Sequence, residues 1–134
     1  MDVQKFCTEW LKSWTGGLPA VEGLLQFYSE EAFYSDPARP QGVKGKALLK
    51  KYFEKLLSKN SEWVWTAEAV FPNEKGFTLK WKAVIPQAGK VTTLYGMDLV
   101  ELSDNLITRN EVYFDPGPLS VAPKGRVEGS PLHR

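Results

Sequence analysis

The stretch Tyr28-Ser29-Glu30-Glu31-Ala32-Phe33-Tyr34-Ser35-Asp36-Pro37 decides how this chain folds, because helical spacing ends at its first residue and strand spacing begins within it. Read as a short strand over residues 31–36, its period of two sends Ala32, Tyr34 and Asp36 to one face and Phe33 and Ser35 to the other. A carboxylate and a phenol then share a face. Pro37 biases Asp36 toward extended geometry and has no N–H for a ladder, so the strand is expected to end there.

Upstream, Val3, Phe6, Cys7, Trp10, Leu11 and Trp14 recur at helical spacing behind a candidate N-cap, Asp2, and Gly16-Gly17 supplies a stop. Pro19 suits a first helical turn, and Val21, Leu24, Leu25 and Tyr28 continue the spacing into a second short helix. Downstream, residues 38–45 hold Pro40, Gly42 and Gly45 and read as a loop. Leu48, Leu49, Tyr52, Phe53, Leu56 and Leu57 then predict a third helix whose lysines form a solvated face. Gly42-Val43-Lys44-Gly45-Lys46 is not a phosphate loop, since its glycine spacing is wrong and no Ser or Thr follows the lysine.

From Glu62 the period changes to two. Trp63, Trp65, Ala67, Ala69 and Phe71 form one row of a long strand, and Phe77, Leu79, Trp81, Ala83 and Ile85 form the apolar row of the next. Residues 91–102 and 106–115 predict two more strands joined by the turn Ser103-Asp104-Asn105. Four hairpin-linked strands imply a curved antiparallel sheet. Residues 117–134 carry too many prolines and glycines for a regular element and read as a tail behind one domain over residues 1–116.

With 134 residues, 43% of them hydrophobic, the chain suffices for one cored domain. A formal charge of +1 gives no electrostatic reason to expect nucleic acid or an anionic membrane as partner. The single Cys7 and the lack of a leader-like opening predict a reducing, cytoplasmic setting. The one histidine, His133, stands near the end, so histidine-based metal sites and Ser-His or Cys-His machinery lack their key residue. No cofactor and no metal is expected.

Among the strand residues, Asp98 is the odd member of the row Leu94, Gly96, Asp98, Val100 and Leu102. A carboxylate buried there must be hydrogen-bonded, paired or kept neutral, either as a fastener between elements or as a working acid. Asp36 has the same two readings, because Asp-Pro also initiates turns. Asn110, in the row Leu106, Thr108, Asn110, Val112 and Phe114, is a core hydrogen-bonder or a ligand contact. The five tryptophans fill the core or line a cavity, with Trp10, Trp14, Tyr34, Trp65 and Trp81 as the candidate walls around an apolar small molecule.

The order helix, helix, short strand, helix, four long strands resembles the cone-shaped α+β fold shared by nuclear transport factor 2, the SnoaL-like polyketide cyclases and the ketosteroid isomerases. The segment 28–37 resembles the one in which ketosteroid isomerases carry a catalytic aspartate followed by proline. Gly42 and Gly45-Lys46 match the glycine turn opening the third helix, and residues 107–115 resemble the closing strand of SnoaL-like proteins. The resemblance implies a curved antiparallel sheet packed against three N-terminal helices, and a homodimer formed through the sheet. It also implies cofactor-free isomerisation or cyclisation of an apolar carbonyl compound, with Asp36 as general base and Asp98 as a protonated acid steadying an oxyanion, a pairing described for ketosteroid isomerase itself. Asn110 and Tyr34 would orient the ligand. The isomerases' tyrosine on the first helix has no match, the nearest residues being Trp10 and Leu11, and an indole N–H is the substitute donor on offer. The acids and arginine of limonene epoxide hydrolase are likewise missing, with Lys80, Lys82, Asn110 and Val112 in the matching strands. A different reading of the same fold is a non-catalytic ligand holder or dimerisation module.

Overall fold

The computed structural model describes residues 1–119, and three helices and a six-stranded sheet account for most of them. Helix α1 (Val3–Lys12) starts at Asp2, whose carboxylate accepts the Lys5 N–H at 3.0 Å, and buries Cys7, Trp10 and Leu11. It closes earlier than its apolar spacing predicts. Ser13 caps it, and Trp14 reaches the core from the following turn, where Gly16 and Gly17 take φ of 117° and 76°. A single 3-10 turn (Leu18–Ala20) leads into α2 (Val21–Leu25). Tyr28, expected on that helix, instead opens strand β1 (Tyr28–Asp36).

The segment read as a loop is largely a strand. β2 (Arg39–Lys44) pairs antiparallel with β1 and forms one edge of the sheet, a position that tolerates Pro40. Gly42 (φ 86°) lies under the Phe33 ring, where a Cβ would collide. Helix α3 (Lys46–Lys59) follows and buries Leu49, Phe53 and Leu57. Strands β3 (Val64–Pro72), β4 (Gly76–Gln87), β5 (Lys90–Ser103) and β6 (Leu106–Phe114) then run as antiparallel neighbours, and the sheet order is β2-β1-β6-β5-β4-β3.

The curved, unclosed sheet is mixed rather than wholly antiparallel, because β6 lies beside β1 and runs parallel to it. Pattern along the chain sets which face a strand buries but not which distant strand it joins. The helices cover one face, and the core lies between them and the inward rows of the sheet.

Two bulges shift those rows. In β3 the register slips between Ala67 and Ala69, so Val70 packs against the core while Phe71, in one row with Trp63 and Trp65 by spacing, is 53% exposed. In β6 the register against β5 slips beside Thr108, whose hydroxyl donates to the Glu101 carbonyl at 3.2 Å. Ile107 and Asn110 therefore both face inward, although a regular strand would send them to opposite faces. The tail begins with a 3-10 turn (Gly117–Leu119), and the Leu119 carbonyl accepts a bond from Gln87 Nε2 at 3.5 Å. The rest of the tail, with His133, lies outside the described residues.

Candidate functional site

A cavity of about 320 Å³ opens between the helices and the concave face of the sheet. Both carboxylates singled out in the sequence line it, as do Trp14, Tyr34, Trp65 and Trp81. Sequence reading missed Trp63, Phe114 and Leu119 as further walls, and Lys59 and Asn60 at the outer end. Trp10 and Asn110 do not line it. They stand behind the wall and act through other side chains.

Asp36 closes β1, 7% exposed, and its oxygens are crowded with donors. The backbone N–H groups of Ala38 and Arg39 each donate to Oδ1 at 2.9 Å, the turn geometry expected of Asp-Pro. The Tyr34 hydroxyl donates to Oδ2 at 2.9 Å, and the Tyr52 hydroxyl lies 2.9 Å and 3.0 Å from the two oxygens. Four donors meet about four lone-pair sites. Burial, then the Asp36 charge, hold both phenols above their ordinary pKa, so they stay protonated as donors. Tyr52 belongs to the apolar row of α3, and its hydroxyl gave no signal of this role in the sequence.

Asp98, at 5% exposure, sits mid-strand on β5. Trp81 Nε1–H donates to its Oδ1 at 2.7 Å and Asn110 Nδ2–H to its Oδ2 at 2.9 Å. One donor on each oxygen leaves one acceptor site on each. Burial pushes the carboxyl up to about 6; the two hydrogen bonds oppose that rise, and the neighbouring Asp36 charge adds a little to it. The same buried environment, with the Asp98 charge second, pushes the Cys7 thiol up to about 12, which leaves it an inert core residue.

A directed chain stands behind Asp98. Trp10 Nε1–H, which can only donate, gives to the Tyr28 hydroxyl at 3.2 Å, and that hydroxyl gives to Asn110 Oδ1 at 2.8 Å. The Asn110 amide is thereby turned so that its NH₂ faces Asp98. Both groups bonded to the carboxylate are donors, so a proton arriving on Asp98 must occupy one of the two sites left free. The seat of Trp81 depends on Gly96, its cross-strand partner, because a Cβ there would run into the indole.

A curved, unclosed sheet wrapped by three helices is the cone-shaped NTF2-like architecture, and solved structures described as NTF2-like are among those similar to this chain. A candidate SnoaL-like polyketide cyclase from Shewanella putrefaciens superposes with a TM-score of 0.73 at 11% identity, over 90% of this chain and 84% of its own. A Mycobacterium tuberculosis protein in complex with estradiol-17beta-hemisuccinate gives 0.66 at 16% identity, over 84% of this chain and 93% of its own. A protein of ketosteroid isomerase-like fold from Catenulispora acidiphila, in complex with trimethylamine, gives 0.70 at 17% identity over 82% and 85%. No curated protein matches by sequence. The SnoaL-like domain matches residues 8–110, and the chain belongs to that family.

Proposed function

We propose that this protein binds an apolar, carbonyl-bearing small molecule in the cavity and moves a proton on it without a cofactor, as an isomerase or a cyclase would. Asp98 is the residue that exchanges the proton. The observation that carries this reading is its setting: a carboxylate with a pKa raised to about 6, bordering an aromatic cavity, with one unoccupied acceptor site on each oxygen. In the forward step the C–H bond beside the carbonyl breaks, its electron pair moves toward the carbonyl oxygen, and the proton lands on Asp98. Return of that proton to a different carbon completes an isomerisation.

The division of labour differs from the one the family resemblance implies. Asp36, with four donors on it, serves to position Tyr34 and Tyr52 along the wall and has little capacity left to accept a substrate proton. Exchange of the methyl protons of acetophenone for deuterium, followed by NMR, tests the assignment. Loss of exchange in Asp98→Asn with retention in Asp36→Asn is expected. Binding without exchange in the wild-type protein would instead make the cavity a non-catalytic holder.

A homodimer is part of the same proposal, and it is supported by the outer face of the sheet, where Met97 and Tyr113 sit opposite each other across β5 and β6 at 41% and 58% exposure and Tyr95 is exposed as well. Sedimentation of the wild type and Met97→Glu checks it, with a shift from dimer to monomer expected in the variant. Among the described residues no helix is long and apolar enough to cross a membrane. The single cysteine is the ground for assigning a cytoplasmic setting.

A further inference from the structure

Three tryptophans are buried in this protein, and they differ in what their indole N–H groups do. Trp10 gives its proton to Tyr28 and Trp81 gives its proton to Asp98. Trp14 is 8% exposed, and its N–H has no acceptor among the described residues. Trp63 and Trp65 are only partly buried, so water can serve them. A buried donor left unsatisfied costs about 1–3 kcal/mol, which is why nearly all such groups find a protein atom, an ordered water or a ligand. Trp14 lines the cavity together with Asp36 and Asp98.

We propose that the Trp14 indole N–H is the donor that binds the ligand's carbonyl oxygen, with the free acceptor sites of Asp98 serving the adjacent C–H. The proposal rests on the reading that the cavity takes a carbonyl compound, and it adds the oxygen's partner, which that reading lacks. The other buried side-chain donors that line the cavity are engaged, Tyr34 by Asp36 and Trp81 by Asp98, whereas Lys59, Asn60, Trp63 and Trp65 are not buried and can be served by water. Placement accounts for the availability of Trp14. It follows the end of α1, where the chain has left helical geometry, and its ring is packed by Phe53 at 5.1 Å and Tyr34 at 6.1 Å between centroids. Aromatic neighbours, which also include Trp10 and Trp65, fix the ring and bring one side-chain oxygen, the Tyr34 hydroxyl, which donates to Asp36 and receives no bond from Trp14. The ring face of Phe53 is the competing partner, since the two rings meet edge to face.

Two probes of nearly equal shape separate these outcomes. Acetophenone has the carbonyl, and α-methylstyrene replaces its oxygen with a CH₂. Trp14→Phe keeps an aromatic ring and deletes the N–H. Titration calorimetry on the wild type and the folded variant is expected to show about a tenfold loss of acetophenone affinity and little change for α-methylstyrene, the size of one hydrogen bond to a neutral acceptor. Infrared spectra of bound acetophenone are expected to show the carbonyl stretch lowered in the wild type and restored in Trp14→Phe. An equal loss for both probes, or a stretch that does not respond to the substitution, overturns the proposal and leaves the N–H to Phe53 or to water. Proton exchange lost in Asp98→Asn while the stretch ignores Trp14 removes this proposal alone. Failure of both probes to bind the wild type removes the carbonyl reading along with it.

Discussion

Asp36 and Asp98 are buried alike, at 7% and 5% exposure, border the same cavity and yet are held differently. Asp36 ends a strand, where the chain turns and its own backbone N–H groups bend back onto the carboxylate. Asp98 lies mid-strand, where the backbone is committed to the ladders with β4 and β6 and only side chains can reach it. Position within the strand thus decides how many donors each carboxylate collects. A saturated carboxylate is a fastener, whereas one with acceptor sites to spare and a raised pKa is equipped to carry a proton.

Asp98→Asn should break the contrast most severely, reducing acetophenone proton exchange by about 100-fold or more, while Asp36→Asn changes it by less than about tenfold. If the two variants lose exchange equally, the division between fastener and proton carrier is wrong. Stability should reverse the ranking. Asp36→Ala strands two phenols and two backbone N–H groups and is expected to cost about 3 kcal/mol in a urea melt; Asp98→Ala leaves two donors beside a cavity that water can enter and should cost less.

The pH dependence addresses Asp98 alone. Exchange should rise as pH increases through about 6, because the ionised form accepts the proton. Its folded pKa lies above the unfolded value near 3.8, so between these the folded state binds more protons than the unfolded one. Its contribution to stability is therefore present in full below about pH 4 and is lost as pH rises through about 6, by an amount on the order of 3 kcal/mol. Comparing the wild type with Asp98→Asn across that range isolates the effect, and parallel curves would remove the raised pKa from the account.

Smaller perturbations act through the donors of Asp98. Gly96→Ala should unseat Trp81, cost about 1–3 kcal/mol and raise the Asp98 pKa further, read from the carboxyl carbon by NMR. Tyr28→Phe removes the hydroxyl that orients Asn110, and we expect a loss of about 1 kcal/mol with a slight rise in the same pKa. An unchanged pKa in Tyr28→Phe would mean that Asn110 is oriented by its packing alone.

How much of this was legible in the sequence divides along a physical line. Alternation in β4 and β5 put Trp81 and Asp98 on the buried face, and the register pairs their strands as the hairpin between them requires. Those are local readings, and local spacing carries them. The partnership of Tyr52 with Asp36, sixteen positions apart, and of Tyr28 with Asn110, eighty-two apart, depends on where α3 and β6 dock, which no periodicity encodes. β2 was hidden for a related reason: a short edge strand with Pro40 and Gly42 has the composition of a loop, and the ladder it makes with β1 becomes visible only in three dimensions. Trp10, expected as a wall, stands at the far end of the chain that turns Asn110 toward Asp98, and Asn110, open in the sequence between a core hydrogen-bonder and a ligand contact, is its last link.

The bulge beside Thr108 means that residue number and facing direction fall out of step within β6. Along the first part of the strand odd numbers point inward, and along the rest even numbers do, because Thr108 and Arg109 together stand against one residue of β5. A kindred sequence shorter by that residue would run a regular strand and still set its asparagine opposite the counterpart of Val100, facing inward. Two proteins with the same site can thus differ by one residue of spacing, and an alignment drawn without that gap would pair an inward residue with an outward one.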